Sequence, residues 1–88
     1  MEYEMPLKNR EGWIKVALIP CSEEEFERHI RDAVDYEVSR ESPPSKTNGE
    51  TVVYYDAEGK PIGMKSWFLD LKTGKEGKWF YKIIPFSS

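Results

Sequence analysis

Residues 22–40 read SEEEFERHIRDAVDYEVSR, and the folding of that stretch decides how the rest of the 88-residue chain is arranged. Ser22 followed by Glu23, Glu24 and Glu25 is a capping box. The Ser22 hydroxyl can accept from the Glu25 amide, and the Glu25 carboxylate can reach back to the Ser22 amide. Cys21 and Phe26 occupy the two positions of a hydrophobic staple. Three carboxylates in the first turn complement the positive end of the helix dipole. Phe26, Ile30, Ala33, Val34 and Val38 recur at helical spacing, so the sequence predicts one helix from Glu23 to Arg40. Its solvent side holds Glu27, Arg28, Arg31, Asp32 and Asp35. Ser42-Pro43-Pro44 cannot continue it.

Upstream, Trp13 to Ile19 reads as a strand ended by Pro20. Ile14, Val16 and Leu18 share one face; Trp13, Lys15, Ala17 and Ile19 share the other. Both faces are fairly apolar, which predicts a strand away from the sheet edge or partly covered on its second face. Residues 1–12 are charged, contain Pro6 and show no periodicity, so they read as a loosely ordered lead-in. Residues 42–50 read as a flexible connector. Downstream come three strands: Thr51 to Tyr55, Pro61 to Leu71 and Lys78 to Phe86. Asp56 to Lys60 makes the first turn, with Gly59 placed for a positive φ; Lys72 to Gly77 makes the second.

The expected order is β-α-β-β-β in one domain over 1–88. That is an α+β, two-layer arrangement with one helix packed on a four-stranded, mainly antiparallel sheet. The helix is expected to cover the face with Ile62, Met64 and Phe68, because that face has fewer charges.

Composition narrows the class of function. The lone Cys21 cannot form an internal disulfide, and it reads as a small buried or half-buried hydrophobe. The first ten residues lack the apolar core of a signal peptide, and no apolar run approaches the roughly 20 residues of a membrane span. A cytoplasmic protein is the expectation. One His and one Cys leave no zinc-type cluster, and Lys72 to Gly77 lacks the spacing of a phosphate loop. No catalytic residue, cofactor or metal is therefore assigned, and the expected function is not enzymatic.

The aromatic residues carry the functional hint. Eight of 12 lie between Tyr54 and Phe86, more ring surface than one helix can shelter. Two anchors, Trp67 and Trp79, stand out, with Lys65, Phe80, Tyr81 and Lys82 around them on the meander. They predict a contact surface for another protein, a second copy of the chain included. The acidic residues Glu23, Glu24, Glu27, Asp32 and Asp35 form a second candidate surface, for a basic partner. Single-stranded nucleic acid on the lysine and aromatic face is the alternative. Residues 51–88 carry 6 Lys against 4 acids, but residues 1–50 carry 12 acids against 7 Lys and Arg, and the whole chain is at −3.

No motif of a known family stands in these residues. In general character (short, acidic, without catalytic groups) the chain resembles the small inhibitor proteins made by phages and mobile elements for anti-defence. That resemblance implies a partner in a host nucleic-acid-handling complex, blocked by protein contact or by carboxylates placed where phosphates would sit.

Overall fold

The computed structural model describes residues 2–41 and 47–86. Six strands form one antiparallel sheet: β1 Glu2–Pro6, β2 Trp13–Pro20, β3 Asp35–Glu41, β4 Thr47–Tyr55, β5 Pro61–Asp70 and β6 Glu76–Pro85. Their spatial order is β1-β2-β6-β5-β4-β3. One helix, α1 (Glu23–His29), follows β2 and runs into a 3-10 turn over Ile30–Asp32. The four-stranded sheet with a single long helix is therefore wrong: the chain is mostly antiparallel sheet, curled into a half-barrel, with one short helix.

The error lies in the second half of the opening stretch. The start of the helix forms as its residues require, with the Ser22 Oγ accepting from the Glu25 amide at 3.2 Å. The Glu25 carboxylate, however, goes to Lys82 Nζ at 3.3 Å rather than back to the cap. Ala33 is already extended, at φ −68 and ψ 136. Beyond it Tyr36 and Val38 alternate with Asp35, Glu37 and Ser39, and this period of two beats the helical spacing. Pairing of the whole of β3 with β4, from Asp35↔Tyr55 to Glu41↔Gly49, satisfies the backbone that a longer helix would have satisfied internally. Asp32 thus lies in the 3-10 turn and Asp35 in a strand.

Two more boundaries move. The lead-in contains β1, which pairs with β2 from Glu2↔Ala17 to Pro6↔Trp13. The connector predicted over 42–50 holds the beginning of β4 at Thr47; residues 42–46 lie outside the described part.

The helix also lies on the other face. Phe26, 1% exposed, packs its ring against Tyr54 and Phe80, with centroids 5.6 and 5.3 Å apart. Gly63 sits directly beneath, and a Cβ there would run into the side chains of Ile30 and Phe26. A glycine mid-strand is thus a seat for the helix. Ile62 and Met64 point the opposite way.

That opposite face is concave. The loop after β1 folds across to the far edge of the sheet: the Lys8 amide donates to the Gly59 carbonyl at 2.9 Å, and the Lys8 ammonium meets Asp35 at 3.1 Å. The same ammonium lies 5.2 Å from the centre of the Tyr55 ring. Gly59 has the expected positive φ, +80, and a Cβ on it would come within 2.8 Å of the Asn9 amide. This latch curls the sheet toward the face that carries Val16, Tyr55 and Ile83, all buried. Each such side chain gains roughly 1.5–3 kcal/mol by leaving water. No described helix is long and apolar enough to cross a membrane.

Candidate functional site

Partners across an antiparallel pair point to the same side, so the register assigns every strand residue to a face. The chain of pairs Val38↔Val52, Val52↔Lys65, Lys65↔Phe80 puts those residues on the helix side, the convex face. Trp67 and Lys78 join them as a pair, and Ile84↔Ala17 carries the face onto β2 with Trp13, Lys15 and Ile19. Trp79, Tyr81 and Ile83 alternate onto the concave face with Val16 and Ser66.

This division breaks the predicted site in two. Trp67, Lys65, Phe80 and Lys82 are together on the convex face. Trp79 and Tyr81 are on the concave one, where the Trp79 ring stacks on Phe68 with centroids 5.1 Å apart and planes 16° off parallel. Phe80 is half-buried beneath Phe26 and belongs to the helix seat. Lys82 is held by Glu25, and Lys65 points its ammonium at the Tyr54 ring, 5.7 Å from the centroid. Of the acidic residues, Glu23, Glu24 and Glu27 are exposed on α1, Asp32 is exposed in the 3-10 turn, and Asp35 is engaged by Lys8. The Lys8 hydrogen bond holds the Asp35 carboxyl below its usual range, helped by the Tyr36 amide. They do not form one surface with Trp79.

The exposed apolar surface has a clear geography. Six large hydrophobic residues on strands stay exposed on the convex face: Trp13, Ile19, Tyr36, Val38, Trp67 and Ile84. Trp13 is 68% exposed and Trp67 38%. The concave face exposes only Tyr3 and Trp79 among the described residues. Helix α1 lies over β5 and β6, so β2 emerges on one side of it and β3 on the other. Where the helix starts, Trp67, Lys65, Lys78, Phe80 and Glu23 line a groove of about 290 Å³.

Sequence reasoning did not single out Trp13, Ile19, Tyr36, Val38 and Ile84 as exposed apolar residues. The signal existed for β2, whose two faces are both apolar: one of them is core, and the other lies largely bare. For Tyr36 and Val38 the helical reading hid it.

Reactive groups are sparse. Burial pushes the Cys21 thiol above its ordinary pKa against the opposing pull of Lys82, which leaves it protonated and a weak nucleophile at neutral pH. Tyr55 is likewise raised by burial and by the nearby Glu37 carboxylate. His29 Nε2 is buried without a hydrogen-bond partner. Among the described residues no three His, Cys, Asp or Glu side chains converge as a metal site needs. No protein-family model, curated protein or solved structure matches the chain.

Proposed function

We propose that the chain is a non-enzymatic binding module that docks another protein on its convex face, with Trp13 and Trp67 as anchors. One observation carries this reading: the exposed apolar side chains gather on the face that already holds the helix, and the helix is too short to cover them. Buried aromatic anchors dominate the energy of protein interfaces, and two tryptophans on one face are suited to that role. The acidic residues of α1 rise from the middle of this surface and favour a partner with basic residues opposite them. Size and acidity keep the protein close in type to the small inhibitors of phages and mobile elements, so a nucleic-acid-handling complex is the partner class to try first.

A second reading, single-stranded nucleic acid, has its own observation: Lys15, Lys65, Lys78 and Lys82 all fall on the convex face. Two of those cations are engaged within the fold, and Glu2, Glu4, Glu50 and Glu76 share the face with them. That balance leaves little positive potential for phosphates, so the protein reading is preferred.

The test is affinity capture from extracts of the source cells, comparing the natural chain with Trp13→Ser and Trp67→Ser. Both variants should keep the circular dichroism of the natural chain and lose the captured protein. Capture unchanged by both substitutions refutes the reading. Binding to a single-stranded oligonucleotide that fades steeply with added salt would move the assignment to nucleic acid.

A further inference from the structure

The two outer strands of the sheet are built differently. β1 is 5 residues long and ends in Pro6, features that discourage a further strand from pairing with it. β3 runs from Asp35 to Glu41 without a proline or a lysine, and no described strand pairs with its outer edge. Tyr36 is 60% exposed, and Val34 and Val38 are exposed beside it. The edge is occupied only at its beginning, where the Lys8 ammonium donates to the Tyr36 carbonyl at 2.9 Å and the Asp35 carboxylate accepts from the Tyr36 amide at 2.8 Å. Beyond Tyr36, no backbone–backbone hydrogen bond joins this strand to a described residue outside β4.

We propose that β3 receives an extended segment of the partner protein as an added strand, and that this segment alternates apolar residues with Lys or Arg. The inference rests on the protein-binding reading and deepens it by naming the mode of capture. Residues of the incoming strand beside Tyr36 and Val38 extend the convex apolar face, so apolar side chains belong there. The alternate positions fall beside Asp35, which Lys8 already pairs, and beside Glu37, which accepts only a long bond from the Tyr55 hydroxyl at 3.5 Å, so a cation belongs beside Glu37. Main-chain hydrogen bonds supply affinity, and the alternation supplies specificity.

Charge also argues against a second copy of this chain as the occupant. A symmetric pair of β3 strands must run antiparallel about a two-fold axis. An axis through Glu37 sets that residue against itself. One through Val38 sets Asp35 opposite Glu41, and one through Ser39 sets Glu37 opposite Glu41. Every central register therefore opposes acid with acid, which is destabilising.

The test uses the full isotope-labelled chain and two end-blocked probe peptides, Lys-Val-Lys-Val-Lys-Val-Lys and its Glu-for-Lys counterpart. The lysine peptide should shift amide resonances over residues 34–41 and slow their hydrogen exchange roughly tenfold, and the glutamate peptide should do neither. Val38→Lys should abolish the effect, and Val38→Thr, which keeps the β preference, should retain most of it. Equal response to both peptides, shifts centred on Trp13 and Trp67 instead of β3, or no shift at all would overturn the proposal. So would concentration-dependent dimerisation through β3, which would make a second copy the occupant. If the captured protein is lost on Trp13→Ser but kept on Val38→Lys, the convex-face reading stands and strand addition falls.

Discussion

The concave and convex faces of this sheet are made of similar residues and end in different states. The concave face holds Val16 and Ile83 at 0% and 1% exposure, and it is closed at one end by the Lys8 latch. The convex face carries Trp13, Ile19 and Ile84 in the open, though α1 lies on it. Curling explains the difference. A sheet that bends toward one face shortens the surface to be covered there and enlarges it on the other. A helix of 7 residues then shelters Phe26, Tyr54 and Phe80 and leaves both flanks bare. Apolar content alone did not decide what was buried: on the helix side Val52 is 6% exposed and Trp13 68%.

Substitutions can break or sharpen that contrast. Phe26→Ala should have the largest effect, about 3–5 kcal/mol, because it removes the one fully buried side chain that fastens the helix. A urea titration measures it, and a loss under about 1 kcal/mol would mean that the helix adds nothing to the fold. On the other face, Ile83→Ala should cost about 2–5 kcal/mol, since no neighbouring surface can collapse into a closed core without strain. Gly59→Ala should cost about 1–3 kcal/mol, through the positive φ and through the collision with the Asn9 backbone. Its amide exchange should rise at Lys8 and Asn9 while the centre of β5 stays protected.

Trp13→Ala is the counterpart on the convex side. Its stability change should stay within about 0.5 kcal/mol, the range of surface substitutions. A thermal melt that falls sharply would place Trp13 in the core and remove one of the two proposed anchors. The smallest effect is expected from acid. Lys8 holds Asp35 below the usual carboxylate range, so the pair stabilises the fold above the unfolded-state pKa. That contribution disappears as pH falls through the lower, folded-state value. Asp35→Asn should show a shallower loss of urea stability on acidification than the natural chain. Equal slopes would show that the latch does not depend on this pair.

Some of the structure could be read directly from the residues. Ser22 caps α1, Gly59 takes its positive φ, and the alternation in β2, β5 and β6 assigns faces correctly. What escaped were the two outer strands. β1 mixes Glu2 and Glu4 with Tyr3 and Met5 and ends in proline, so its alternation is too short to separate from a polar tail. Val38 of β3 lies four residues after Val34, which precedes the strand, a distance that fits one helix face as well as one strand face. Only the pairing partner arbitrates between those two readings. The same limit applies to the contact surface. Trp67 and Trp79 read alike in the sequence, and only the register places the two on opposite sides.

By itself the sequence determined the local grammar: where the helix begins, where the chain turns, and which residues of each central strand point the same way. Those follow from interactions between residues close along the chain. The tertiary structure alone decided how many strands join the sheet, which face the helix takes, and which way the sheet curls. Each depends on contacts between distant segments, Gly63 under Ile30 and Lys8 against Asp35 among them, whose energies no short window of sequence contains.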